Sequence, residues 1–477
     1  MEKKFYQKII CILIVFYYLP ASYSFSFLEI DSIKKVEHPL KVTILGTGYV
    51  GLVSGAGLAN IGHYVTCTDI DQEKINKLNQ AIMPIFEPGI KELVEKNIAE
   101  KRLVFSADLD TAISEAAIII IAVGTPMNDD GDADLSALMS VIQSIKKNLN
   151  GYKIICTKST VPIGTNKKLK DMLTQVINGK QEFDLVSNPE FLREGSALKD
   201  FFFCNPIVLG SDSEKALLVM EDLYKPLIDN GTKLIKTNVF AGAETIKYAW
   251  NAFSLIKISY VDQLAHLCNA VDANIVTVIE GMSYGEKLLP IHCVRPGPGI
   301  GGSCLPKDTS ALIAMSKKFG VDMSIVTEAR SANEKHKKII VNDFLKLFGA
   351  SIKDKKIAIL GLSFKANTDD IRNSPAIDIA KELLNNGAHV YAYDPQAMNN
   401  MKKLLPEIHY CLSADEALTG ADALFLLTDW DEFKKIDLKR MASLMAHRVV
   451  MDMRNIFDPQ ELAQLKFDFK NLGYQRC

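Results

Sequence analysis

The chain of 477 residues is 48% hydrophobic and 23% charged, enough to bury a large core and to divide into two or three domains. A formal net charge of −2, with no sustained basic run, offers nothing to a nucleic-acid track and leaves room only for a local basic pocket around a small anion. Nine cysteines, scattered at positions 11, 67, 156, 204, 268, 293, 304, 411 and 477 without a Cys-x-x-Cys pair, argue against a disulfide framework and against a metal site, and fit a reducing compartment.

At the amino end Lys3, Lys4 and Lys8 precede an apolar run, Ile9 to Leu19, and then Pro20-Ala21-Ser22-Tyr23-Ser24. This reads like a secretory signal, and the run is short for a spanning helix. A membrane tether, or an upstream extension read from a misplaced start codon, fits the same residues. Residues 1–40 therefore stand apart from the fold argument.

From Lys41 the pattern is strand, glycine turn, helix, strand. Val42-Thr43-Ile44-Leu45 leads into Gly46-Thr47-Gly48-Tyr49-Val50-Gly51, an apolar helix runs to Gly62, and Tyr64 to Thr68 ends at Asp69. In that context the glycines read as a dinucleotide fingerprint: they permit a tight turn and bring pyrophosphate against a helix N-terminus. Asp69, about 20 residues on, can accept from the ribose hydroxyls. With Asp71 close by and no adjacent arginine, NAD is favoured over NADP.

Further buried parallel strands are expected at Ala117 to Val123, Lys153 to Thr157 and Asp184 to Ser187. Gly124-Thr125-Pro126 and Lys158-Ser159-Thr160-Val161-Pro162 would then lie at the carboxyl edge of the sheet, where such folds bind ligands. In Asn188-Pro189-Glu190-Phe191-Leu192-Arg193-Glu194-Gly195, the two glutamates could share one helical face or form a solvated charge pair. Phe240 to Ala270 reads as one long helix, able to join domains and meet a second subunit, with Lys247 and Asn251 one turn apart on one side.

Gly297-Pro298-Gly299-Ile300-Gly301-Gly302-Ser303-Cys304-Leu305-Pro306-Lys307-Asp308 carries a thiol beside a lysine and a carboxylate, a setting that favours thiolate and covalent catalysis. A nicotinamide cofactor with a nucleophilic cysteine points to oxidation of an aldehyde, through a thioester, to an acid. Ser324 to Lys338 reads as another helix. A second α/β unit follows, with strands at Ile357 to Leu362, Val390 to Asp394, Ala423 to Thr428 and Val449 to Asp452. The fold class is α/β, two Rossmann-like parallel-sheet domains joined by a long central helix: an extension (1–40), a cofactor domain (41–239), a central helical domain with the cysteine loop (240–338) and a carboxyl-terminal domain of mononucleotide-binding type (339–477).

Taken together, Gly-x-Gly-Tyr-Val-Gly, Gly-Thr-Pro, Ser-Thr-Val-Pro, Asn-Pro-Glu-Phe-Leu, Lys-Tyr-x-x-Asn, Gly-Gly-Ser-Cys and Lys365-Ala366-Asn367-Thr368-Asp369-Asp370-Ile371-Arg372, all in order, resemble the nucleotide-sugar 6-dehydrogenases from Lys41 to about Pro459. The resemblance implies two hydride transfers to NAD, with Cys304 adding to the C6 aldehyde and carrying the thioester. It implies that Asp308 handles a proton or water, that Lys247 and Asn251 stabilise the oxyanion, that Glu190 is an acid/base or water-positioning group, and that Thr160 bridges cofactor and substrate. Around the cofactor it implies Gly46, Gly48, Tyr49, Val50, Gly51, Asp69, Lys74, Thr125, Thr160, Glu194, Lys307 and Arg372. Around the sugar nucleotide it implies Glu190, Phe191, Leu192, Lys247, Asn251, Arg295, Gly301 and Lys365.

Ser283-Tyr284-Gly285-Glu286 and Cys204-Asn205-Pro206 depart from the UDP-glucose pattern, while Arg295-Pro296-Gly297 and Ser303 to Asp308 look like the GDP-mannose branch. Ser303, where N-acetylhexosamine enzymes have histidine, weighs against those. Tyr393-Asp394-Pro395, Thr428-Asp429-Trp430 and Asp452-Met453-Arg454-Asn455 look like the UDP-glucose branch, so the resemblance implies UDP-glucose oxidised to UDP-glucuronate. The alternatives are GDP-mannose, a UDP-N-acetylhexosamine, or a sugar-nucleotide-binding regulatory protein without activity. A cytoplasmic homodimer or larger oligomer is expected, with membrane association through residues 1–40 left open.

Overall fold

A computed structural model describes residues 27–174, 183–283, 295–349 and 351–473. The first domain is a sheet of β1 (Lys41–Leu45), β2 (Tyr64–Thr68), β3 (Leu103–Ser106), β4 (Ile118–Ile121), β5 (Lys153–Thr157), β6 (Phe183–Ser187), β7 (Ile207–Gly210) and β8 (Leu234–Thr237), in the order β3-β2-β1-β4-β5-β6-β7-β8. All neighbours pair in parallel except β6 and β7, which are antiparallel. The run of four isoleucines in β4 shows why these strands are apolar throughout: Ile118 and Ile120 join the core on one face, Ile119 and Ile121 that on the other. β4 is shorter than the expected 117–123. Ala122 N still donates to Leu45 O, after which the chain leaves for the glycine turn.

The central helix, Phe240–Ala270, spans 31 residues, about 46 Å at the rise of an α-helix. The cysteine helix, Cys304–Lys318, and the returning helix, Ser324–Phe348, pack against it, with Tyr248, Ala252, Ala311, Met315 and Val326 in their shared core. The returning helix does not stop near 338 but continues unbroken to Phe348, carrying Ile340, Val341 and Phe344 into the core of the second sheet. An edge between domains at 338–339 thus falls inside a helix that belongs to both.

The second sheet, all parallel, contains β9 (Lys356–Leu360), β10 (His389–Tyr393), β11 (His409–Tyr410), β12 (Ala423–Leu426), β13 (Val449–Asp452) and β14 (Asp468–Asn471), in the order β11-β10-β9-β12-β13-β14. Ile357 and Ile359 face the returning helix, and Ala358 and Leu360 face the opposite layer. Trp250, Phe253, Tyr260 and Leu267 form an exposed stripe along the central helix. Among the described residues no helix is long and apolar enough to cross a membrane. Ile9 to Leu19 and Tyr284-Gly285-Glu286 lie outside the described residues.

At the end of β9, Gly361 takes φ +96°, and an added Cβ would lie 2.4 Å from Thr428 Cβ and 2.6 Å from Thr428 N. Gly361→Ala should therefore destabilise the second domain by about 2–4 kcal/mol, combining left-handed strain with a backbone clash. Thermal unfolding followed by circular dichroism checks this, and a midpoint equal to wild type would contradict it.

Candidate active site

The cofactor cradle grows out of the end of β1. Gly46 turns at φ +102°, and a Cβ there would sit 2.7 Å from Ala122 O; a Cβ on Gly51 would sit 1.9 Å from Gly46 O. Side chains are thus barred where the turn meets the helix Tyr49–Asn60. At the helix N-cap Gly48 offers no side-chain cap, and an added Cβ would meet nothing within 4 Å, which leaves an open approach to the first N–H groups. Asp69 Oδ2 accepts from Thr47 N (3.0 Å), Thr47 Oγ1 (2.6 Å) and Lys74 Nζ (2.8 Å). Burial alone would raise this carboxyl, but Lys74 and Thr47 outweigh it and hold the group down at about 2. An ionised acid beside a bare helix N-terminus fits a dinucleotide. Thr125 Oγ1 donates to Thr160 O at 2.8 Å, joining the two loops at the sheet edge.

The central helix supplies the middle of the site. Lys247 and Asn251 are both buried on its inner side, as expected from their spacing. Lys247 Nζ lies 3.1 Å from Glu190 Oε1, and Asn251 Nδ2 donates to Asp308 Oδ2 at 2.5 Å. Lys307 Nζ donates to the other oxygen, Asp308 Oδ1, at 2.5 Å. Burial alone would lower the Lys247 ammonium, but the carboxylates of Glu190 and Asp308 raise it above its ordinary value, so it remains charged. Lys247 Nζ also lies 5.3 Å from the centre of the Phe191 ring, which meets the Trp250 ring at 5.3 Å.

Two expectations fail here. Glu190 and Glu194 share no helical face, because 188–196 is irregular backbone; Leu192 N closes back on Glu190 Oε2 at 2.5 Å. Glu190 turns to Lys247, whereas Glu194 turns to the second domain. Nor does the surrounding of Cys304 favour thiolate. The residue begins the cysteine helix, yet burial pushes the thiol up, Glu190 and Asp308 push it further, and Lys247 and Ser303 only partly offset them.

The second domain closes over this cluster. Arg372 reaches Glu194 Oε1 at 3.3 Å and Asp370 Oδ2 at 2.6 Å, and Thr368 Oγ1 lies 3.3 Å from Glu194 Oε2. Burial pulls the Lys365 amine down against the charge of Glu194. Burial likewise raises the Glu194 carboxyl to about 8, with Asp370 adding to the effect and Arg372 opposing it. Gly302 N donates to Arg372 O at 2.7 Å, and a Cβ on Gly301 would lie 2.7 Å from Phe364 Cβ, so the glycine loop is pressed against the second domain. Arg295 is exposed at the start of that loop and does not join the buried cluster.

Sequence reasoning passed over Glu244, which accepts from Gly164 N (2.6 Å) and Asn166 N (2.9 Å) and so anchors the loop after Thr160 to the central helix. It also passed over Asp262 and His336, which hold Gly297 N and Gly297 O at 3.0 and 2.6 Å. No local pattern marks these residues, since their partners are remote in the chain.

Residues 40–228 match the NAD binding domain of the UDP-glucose/GDP-mannose dehydrogenase family, 241–335 its central domain and 358–459 its UDP binding domain. The chain is 42% identical over 434 residues to UDP-glucose 6-dehydrogenase TuaD of Bacillus subtilis (strain 168), covering 91% of this chain and 93% of that one. It is 40% identical over 441 residues to UDP-glucose 6-dehydrogenase of Rhizobium meliloti (strain 1021), covering 91% and 99%. A solved UDP-glucose dehydrogenase from the hyperthermophilic archaeon Pyrobaculum islandicum superposes with a TM-score of 0.84 at 31% identity, over 92% of this chain and 98% of that one.

The charges around Cys304 set how its thiol should titrate. Removing the negative neighbour in Glu190→Gln should lower the thiol pKa and speed alkylation by iodoacetamide at a fixed, mildly alkaline pH; removing the positive one in Lys247→Met should slow it. Alkylation rates measured against pH check both signs. Equal rates in the two variants would separate the thiol from this pair.

Proposed function

This chain belongs to the UDP-glucose/GDP-mannose dehydrogenase family, and we propose that within it the protein oxidises UDP-glucose to UDP-glucuronate with NAD. The observation that carries the proposal is the meeting of Cys304, Lys247, Asn251, Asp308 and Glu190 between a NAD binding domain and a UDP binding domain. The uridine reading rests on the match of 358–459 and on curated relatives named for UDP-glucose. A binding protein without activity would have no need of a buried ammonium beside a thiol.

NAD, when bound, accepts one hydride in each of two oxidations. The chain's own groups do the rest. Asp308, oriented by Asn251 and Lys307, would take the proton from the C6 hydroxyl as the aldehyde forms. Cys304 would then add to the aldehyde carbon, with the oxyanion held by the Lys247 ammonium and the Asn251 amide in a site screened from bulk solvent. After the second oxidation leaves a thioester on Cys304, Glu190 would orient the water that cleaves it, and the thiol is restored. Thr160 would lie between cofactor and sugar, Lys365 and Arg372 would meet phosphates, and Gly46 to Gly51, Asp69, Lys74 and Thr125 would hold NAD.

The exposed stripe of Trp250, Phe253, Tyr260 and Leu267 supports a homodimer built along the central helix. Five described cysteines are free, which supports action in a reducing compartment.

Assays with UDP-glucose, GDP-mannose and UDP-N-acetylhexosamines, followed by nicotinamide absorbance, test the substrate; turnover of GDP-mannose alone would overturn it. Cys304→Ala should abolish acid production while leaving NAD and nucleotide-sugar binding near wild type. Cys304→Ser should accumulate an ester visible by mass spectrometry, because alkoxide is a poorer leaving group than thiolate. Steady acid production by the alanine variant would exclude the cysteine. For the dimer, Tyr260→Glu with Leu267→Glu should give a monomer by light scattering, and an unchanged mass would place the interface elsewhere.

A further inference from the structure

Glu87 lies in Phe86-Glu87-Pro88-Gly89, just before the helix Ile90–Ala99, outside every motif used above, and only 4% of it is exposed. A carboxylate buried that far is costly unless its oxygens are satisfied, and here both are. Oε1 accepts from Ala197 N at 2.7 Å and Leu198 N at 3.4 Å. Oε2 accepts from Gly195 N at 2.6 Å and from the Tyr49 hydroxyl. Tyr49 is the first residue of the fingerprint helix, and Gly195 adjoins Glu194.

The same turn also touches the second domain. Phe86 N donates to Asp369 Oδ1 at 3.3 Å and the Phe86 ring lies 6.5 Å from that of Trp430. Burial raises the Glu87 carboxyl to about 7, with the N–H groups of Gly195, Ala197 and Leu198 and the charge of Lys365 opposing the rise. Gly195 is pressed against the backbone of Ala366 and Asn367, where an added Cβ would lie 2.9 and 2.8 Å from their carbonyl oxygens. One carboxylate therefore ties together the cofactor helix, the irregular loop that carries Glu194, and the seam with the second domain. Because both oxygens accept from N–H groups, a glutamine in either orientation would face one of those N–H groups with its own NH2.

We propose that Glu87 is a positioning residue for the reaction, fixing the 194–198 backbone, and with it the Glu194–Arg372 pair, against the cofactor helix, and that only a carboxylate can do this. The proposal rests on reading the site as a UDP-glucose dehydrogenase. Its effect should fall on binding of the nucleotide sugar and NAD more than on the chemical step, since Glu194, Lys365 and Arg372 are the groups proposed above to meet those ligands, while Glu87 makes no contact with Lys247, Asp308 or Cys304.

Steady-state kinetics and hydrogen exchange of the full chain test this. Glu87→Gln should raise KM for UDP-glucose and NAD, lowering kcat/KM by about 5- to 100-fold with kcat changed less, and should speed exchange in peptides covering 194–198 while β1 stays protected. Glu87→Asp, which keeps both acceptors on a shorter arm, should recover part of the loss. An unchanged KM and unchanged exchange with only a lower melting midpoint would overturn the proposal, as would equal impairment in the aspartate and glutamine variants. If Glu87→Gln does not fold, Tyr49→Phe removes the hydroxyl from the same oxygen and should shift KM and exchange in the same direction; wild-type values for both would overturn it. Failure of the wild-type protein to oxidise UDP-glucose would refute the activity, while exchange at 194–198 would still decide the role of Glu87.

Discussion

Lys247 carries a positive charge to a place where 3% of the residue meets solvent, and a charge so placed is tolerated only when opposite charge and acceptors converge on it. Glu190 answers at 3.1 Å, and the Asp308 carboxylate adds its field. These partners come from separate segments: Glu190 from the loop after β6, Asp308 from the cysteine helix. The lysine itself stands on the central helix. Placing it correctly therefore requires the sheet, the central helix and the cysteine helix to be packed first, which is the work of Tyr248, Ala252, Ala311 and Met315 one layer away.

The seam between the two α/β domains follows the same rule at lower burial. Glu194 meets Arg372 and Thr368 across it, Lys365 faces Glu194 and Glu87, and the glycine loop rests on Phe364. Polar groups of both kinds are thus concentrated where the two domains meet, while the helix Phe240–Ala270 makes apolar contacts with both sheets and the helix Ser324–Phe348 packs on it and on the second sheet. The Glu194–Arg372 contact contributes little to stability by itself, because burial of the carboxyl offsets the attraction and raises Glu194 to about 8. Its value lies in orientation: it sets where the loop 188–196 runs.

The parts of this arrangement that were legible in the sequence are those with local causes. The glycine turn, the strands Tyr64–Thr68 and Lys153–Thr157 and the bounds of the central helix follow from periodicity and turn chemistry, and the structure has them where expected. β3, β8 and β11 did not stand out because they are short edge strands with few buried side chains. The helical reading of Glu190 and Glu194 failed because spacing alone cannot tell a turn of helix from a loop held by distant donors such as Asn205, whose side chain meets the Phe191 carbonyl. Glu87 and Glu244 escaped for the same reason, their partners lying far along the chain.

The state of Cys304 is the point at which local and distant effects oppose each other. A neighbouring lysine, which the sequence displays, and the helix N-terminus, which the structure adds, favour thiolate; burial and the carboxylates of Glu190 and Asp308 oppose it and win. A thiol kept protonated is also poorly oxidised, since thiolate is the form that enters the oxidation ladder. In the proposed reaction the thiol proton would pass to the Glu190 carboxylate as sulfur adds to the aldehyde, and the charge that then appears on oxygen falls beside Lys247. The ammonium is therefore worth most at the moment of addition, when negative charge moves toward it, and less while the thiol waits. That difference between the resting and reacting states is what lowers a barrier.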